Sequence, residues 1–243
     1  QRALAALRTC IEQVADADVA DALRVCFSSI IVRVSNQDSD THYAAIDKGV
    51  TAESVWETFA EAVRSTSAAL EGIRPSLFPS TPSVRIVNAD ILSVAPQEVG
   101  NDIGLVVTSP PYPNAYEYWL YHKYRMYWLG MDPIAVRERE IGARPHFFKK
   151  NPHTEADFER QMGACFSLLS KTMRRGAYAC FVVGRSIIRG KEIDNAELLV
   201  RASIPHGFQC VGNVGRNIAA SRKSFNPSHG TICKERVVVF VRE

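Results

Sequence analysis

Five consecutive residues, Thr108-Ser109-Pro110-Pro111-Tyr112, bring together a hydroxyl, a carbonyl and an aromatic ring in a stretch whose two prolines end any regular strand or helix. Two successive prolines fix φ at both positions and remove two N–H donors. The Pro110 carbonyl is then left without a regular ladder partner and is open to a donor on a ligand. Ser109 adds a second acceptor, and Tyr112 adds a rigid aromatic face. Two acceptors beside a stacking surface suit a planar molecule with an exocyclic amino group, such as a nucleobase. Holding both amino hydrogens draws the nitrogen lone pair out of ring conjugation and towards an electrophile, which preorganises a poor nucleophile. A chance Ser-Pro-Pro-Tyr in a chain this long is expected on the order of one time in a thousand. The plain alternative is a proline-terminated strand in a scaffold loop.

The elements that must position this motif follow from the hydrophobic pattern. Short β-branched runs stand at 83–90 (SVRIVNAD), 103–109 (IGLVVTS), 177–184 (AYACFVVG), 208–214 (FQCVGNV) and 235–243 (ERVVVFVRE). Helix-like stretches lie between them at 114–130, 154–174 and 193–204. Strands alternating with helices of this length predict βαβ units and a mostly parallel sheet. The last two strands are joined only by a polar connection, which predicts an antiparallel pair at one edge. The motif then ends the second strand, and ligands of open α/β sheets bind beyond the carboxyl ends of the strands.

The first third reads differently. Residues 1–34 are rich in Ala, Leu and Val, and 51–72 place Val55, Phe59 and Val63 at four-residue steps, the pattern of an amphipathic helix ending near Gly72. The proline-rich segment RPSLFPSTPS follows and marks a boundary. The expected organisation is a helical, acidic region over 1–74 and an α/β region over 75–243, with a small basic insert near 131–160.

The segment LVVTSPPYPNAYEYWLYHKYRMYWLG resembles motif IV of the amino-methyltransferases that act on DNA, whose signature is Asp, Asn or Ser followed by Pro-Pro and an aromatic. The form with Thr before Ser is typical of the N4-cytosine branch. The resemblance implies a Rossmann-like methyltransferase sheet, S-adenosylmethionine as methyl donor, and a base flipped out of the duplex. By that resemblance Ser109 and the Pro110 carbonyl hold the target amino group, Pro111 stiffens the turn and Tyr112 stacks on the base. Asp90 sits where related enzymes contact the cofactor's adenine amino group, and Thr108 is placed at the cofactor too. An Asp after a strand also serves as an Asx turn or helix cap. The resemblance covers roughly residues 83–243 and is sharp only at 105–112. It implies methylation of cytosine N4, with adenine N6 or an RNA base as alternatives, and no metal.

Charge agrees with a polyanionic partner. The net charge of +3 hides 8 Lys and Arg against 13 Asp and Glu in residues 1–100, and 21 against 13 in residues 101–243. Arg144, Lys149 and Lys150 follow the motif in a segment with Pro145, Phe147 and Phe148. Arg185, Arg222 and Lys223 lie beyond later strand ends, with Arg189, Lys191 and Arg216 nearby. With Tyr116, these form the expected DNA contacts; an ordinary solvated surface is the competing reading. Of the aromatics at 112–128, Trp119 and Tyr127 are expected in a helix core face, together with Leu120 or Leu129.

Other patterns exclude function classes. The six cysteines include no C-x-x-C pair, so neither a zinc ribbon nor a disulfide framework is indicated, and a reducing, cytoplasmic setting is expected. No apolar run approaches the ~18 residues of a membrane span. The 14 glycines include no Gly-x-Gly. The family's Phe-x-Gly-x-Gly cofactor loop is therefore missing, and the sheet is expected to be incomplete on its N-terminal side. Three readings stay open: a piece of a complete enzyme, one half of a split enzyme whose other subunit carries the glycine loop, or a non-catalytic DNA-binding module. A restriction endonuclease is a further candidate partner.

Overall fold

The computed structural model describes the chain except for residues 41, 73–82, 115–116 and 218–233. Its first half contains α1 (Arg2–Glu12), α2 (Ala17–Ile30), β1 (Gln37–Ser39), β2 (His42–Ala45), α3 (Ala52–Gly72), α4 (Pro96–Val99) and β3 (Ile103–Thr108). The second half contains α5 (Tyr118–Tyr121), α6 (Lys123–Trp128), α7 (Pro133–Arg139), α8 (Glu155–Thr172), β4 (Met173–Ile188), β5 (Lys191–Asp194), α9 (Asn195–Ser203), β6 (Phe208–Asn217) and β7 (Lys234–Arg242). These elements form two units: residues 1–84 with 119–138, and residues 85–118 with 139–243. The sequence-based boundary near 75 thus compares with a unit edge at 84/85, and residues 119–138 group with the first unit.

The first unit is helical. Asp16 caps α2 by accepting from the Asp18 and Val19 amides, both at 3.0 Å, the favourable use of a short acidic side chain at a helix start. One face of α1 buries Leu4, Leu7 and Ile11, which join Phe27 and Ile30 of α2 and Val55 of α3 in one core. The Trp128 ring meets Phe27 edge-on at 6.1 Å. Within 114–130 the structure corrects the expectation twice. The segment forms two short helices instead of one, after an Asn114 held at φ 57°. Tyr127, expected in the core, is 56% exposed, and Trp128 packs in its place, while Leu129 packs as expected.

The second unit is a mixed α/β layer pair. Its sheet has the order β3-β4-β7-β6, with β5 pairing the far end of β4. Only β3 and β4 run parallel; β4–β7, β6–β7 and β4–β5 are antiparallel. The expected antiparallel edge pair is present, whereas the expectation of a mostly parallel sheet is not met. β7 lies antiparallel between β4 and β6, and β4 turns straight back into β5 through Arg189 and Gly190, both at positive φ. That is the geometry of a tight hairpin.

Along β4, Ala177, Ala179, Phe181 and Val183 are buried while Tyr178 is exposed, the alternation of a sheet covered on one face. The cover is α8 and α9. Phe166 of α8 lies 5.1 to 5.3 Å from Phe181, Phe208 and Phe240. Burying each such ring contributes roughly 1.5–3 kcal/mol.

A second correction concerns 83–90, expected as the first strand. It is irregular, and Val84 and Ile86 are 83% and 88% exposed. Among the described residues β3 pairs only with β4. Without a neighbouring strand or a covered face, β-branched residues alone do not make a strand.

Candidate active site

The motif begins where β3 ends. Parallel pairing puts Thr108 opposite Phe181, so the next residue reaches Val182, and the Ser109 hydroxyl donates to its carbonyl at 3.1 Å. A serine hydroxyl has one proton and two lone pairs. With that proton committed to the sheet, the exposed Ser109 oxygen can only accept from a ligand. Among the described residues no hydrogen bond reaches the Pro110 carbonyl. The two acceptors expected from sequence therefore stand side by side along the chain at the carboxyl end of β3.

The rest of the turn is clamped. The Asn114 amide donates to the Gly142 carbonyl at 2.9 Å, and its side-chain Nδ2 donates to the Ile187 carbonyl at 2.6 Å. Gly142 sits at φ 71°, and a Cβ there would come within 3.0 Å of the Pro113 Cα. This close approach in the left-handed region requires glycine. The buried Oδ1 of Asn114 has no partner among the described residues.

Tyr112 differs from the open platform expected of it. The residue is 6% exposed and belongs to the core cluster. Its hydroxyl donates to Oε1 of Glu235, on β7, at 3.0 Å. The other oxygen of Glu235 receives Nε and Nη2 of Arg216, on β6, at 2.8 and 2.5 Å. In this arrangement the ring faces the protein, and stacking on a base requires it to be uncovered.

Beside Glu235 a cavity of about 320 Å³ opens between residues 183–185, 194, 215–217 and 234–236. Arg185 lines it and pairs with Glu192 across the β4–β5 hairpin. Arg236 pairs with Asp194 at 3.3 Å.

The remaining sequence candidates make contacts of their own. Asp90 caps a turn, its Oδ1 accepting from the Leu92 amide at 3.0 Å and its carbonyl from Ser93 and Val94. The expected strand before it is absent, so Asp90 does not end one. Arg144, Lys149 and Lys150 are exposed, and the Arg144 guanidinium lies 5.6 Å from the centre of the Phe148 ring. Burial pushes the Glu117 carboxyl up, and the charge of Arg144 pulls it back down. Tyr116, Arg222 and Lys223 lie outside the described residues. Sequence reasoning passed over Glu235, Asn114 and Gly142. A lone acidic residue at the head of an apolar strand carries no spacing signal that could have singled out Glu235.

No protein-family model matches the chain, and no curated protein matches it. Two crystal structures of TTHA0409 from Thermus thermophilus, named "Putative DNA Modification Methylase", are similar to it. One has a TM-score of 0.37 at 15% identity, covering 63% of this chain and 52% of that one. The other, a selenomethionine derivative, has a TM-score of 0.32 at 14% identity, covering 59% and 46%. The chain thus spans about half the length of TTHA0409.

Proposed function

We propose that the chain carries the base-holding part of a DNA amino-methyltransferase, acting on the exocyclic amine of a flipped base, cytosine N4 first and adenine N6 second. The observation that carries this reading is the commitment of the Ser109 proton to Val182 beside an unclaimed Pro110 carbonyl. Two acceptors on a clamped turn hold an amino group through both hydrogens and leave its lone pair free to attack. The work is positioning and electrostatics, which is where such a reaction gains most.

S-adenosylmethionine, when bound, supplies the methyl group as a sulfonium electrophile. The residues present fit its adenosine end in part. Asp90 uses one carboxylate oxygen for the Leu92 amide and keeps the other for an amino group, and Thr108 ends the adjoining strand. For the methionine end the chain has no Gly-x-Gly. A second reading is a DNA-binding or split-enzyme subunit whose partner brings the glycine loop.

The test is methyl transfer from labelled S-adenosylmethionine to mixed-sequence DNA, with nucleoside analysis of the product. Transfer that gives N4-methylcytosine and is lost in Ser109→Ala and Tyr112→Ala supports the first reading. Transfer that survives both substitutions rejects the site. DNA binding with strong salt dependence but no cofactor affinity supports the second reading.

A further inference from the structure

We infer that the cavity lined by residues of β4, β6 and β7 is a phosphate-binding pocket that takes a backbone phosphodiester of a nucleic-acid strand next to the motif. The inference rests on the nucleic-acid reading above and deepens it. Four cations, Arg185, Arg216, Lys234 and Arg236, line the cavity against two carboxylates, Asp194 and Glu235. Lys234 has no acidic partner among the described residues. Each arginine is paired, yet keeps donors: Arg216 spends Nε and Nη2 on Glu235, and Arg185 spends Nη1 on Glu192.

These pairs are replaceable. The side chains of Arg185 and Glu192 are 53% and 61% exposed, and a pair exposed on both sides is held weakly. Arg216 is 57% exposed against a Glu235 that is 13% exposed, so the incoming phosphate has to match that stronger contact. A phosphate offers the same fork a charge-assisted, two-point contact and adds Lys234 as a third donor. Its place is also right. Glu235 forms part of the cavity wall with one oxygen on Arg216, while its other oxygen holds the Tyr112 hydroxyl. A phosphate seated there lies one residue from the motif and competes with Glu235 for Arg216.

The competition makes a prediction that a general basic surface does not. Binding of a fluorescent oligothymidylate to the 243-residue chain is measured by anisotropy across a salt series, with no methyl donor present. Pocket binding and methyl transfer can therefore fail separately. Lys234→Ala weakens binding about fivefold or more at low salt and lowers the salt slope by about 1. Lys171→Ala, which removes an exposed cation from the end of α8 instead, changes affinity less than about twofold. Glu235→Gln and Glu192→Gln release Arg216 and Arg185 and tighten binding severalfold. Glu192 is 61% exposed, so that variant tests the competition even if Glu235→Gln does not fold, as a thermal melt will show. Inorganic phosphate competes only at millimolar concentration. Equal losses in Lys234→Ala and Lys171→Ala, or unchanged affinity in Glu192→Gln, would overturn the inference. So would micromolar competition by inorganic phosphate alone, which marks a site for the free ion.

Discussion

The sheet of the second unit has two faces made from similar residues that meet different fates. On one face Phe166 of α8 packs against Phe181, Phe208 and Phe240, and the buried partners approach complete exclusion from water. On the other, Leu105, Val107 and Tyr178 remain 59%, 69% and 49% exposed. Parallel register sets Leu105 beside Tyr178 and Val107 beside Cys180, so the bare face is as regular as the covered one. Among the described residues, what differs is that α8 and α9 cover one face. Hydrogen-bonded pairing fixes where the strand runs, and burial decides how much each side chain contributes. The motif hangs from the end of this asymmetric sheet, so its rigidity must come from the covered face and from the bonds of the turn itself.

The contrast can be broken by substitution. The largest effect is expected for Phe166→Ala, which leaves a cavity among three rings and lowers unfolding free energy by about 3–5 kcal/mol in urea denaturation; a loss under about 1 kcal/mol would mean that the helices do not anchor the sheet. Next comes a chemical reporter of the same cover. Burial, and then the negative charge of Asp90, push the Cys165 thiol up to about 11. A raised thiol value means a vanishing thiolate at pH 8, and the thiolate is the reactive species. Iodoacetamide should therefore label exposed Cys10 and spare Cys165 until the protein unfolds. Labelling of Cys165 at the rate of Cys10 in native protein would show the covered face to be open.

Smaller effects belong to the turn. Gly142→Ala puts a Cβ in the left-handed region against Pro113, at a cost of roughly 1–2 kcal/mol. Tyr112→Phe removes the donor to Glu235 and is expected to cost about 1 kcal/mol. The smallest effect is on the bare face, where Val107→Thr should change stability by less than about 0.5 kcal/mol. If Val107→Thr costs as much as Phe166→Ala, the two faces do not differ in the way described.

Elements are legible in the sequence wherever an apolar pattern coincides with burial. β3, β4, β6, β7, α8 and α9 fall on the segments that their patterns mark, because each presents one apolar face to a common core. The run at 83–90 has the same β-branched texture and fails, since nothing in its own residues reports whether a strand lies beside it. The direction of the β4–β5 pair is equally hidden: the Arg189–Gly190 hairpin turns on two positive φ angles at positions where the sequence shows only one glycine. The motif itself is legible, because prolines, serine and tyrosine act through local backbone chemistry. Its supports are not. Tyr112 and Glu235 are 123 residues apart, and no local pattern joins a tyrosine to a carboxylate at that separation.

In the proposed site Ser109 is an acceptor whose own proton is held by the Val182 carbonyl. The most direct measurement compares methyl transfer to DNA by Ser109→Ala and Ser109→Asp with that by the unaltered protein. Removing the acceptor in Ser109→Ala should lower the rate about 100-fold or more, the scale of one preorganised polar contact. Ser109→Asp keeps an acceptor at the same place and should retain far more activity. Equal rates in the unaltered protein and Ser109→Ala would contradict the account.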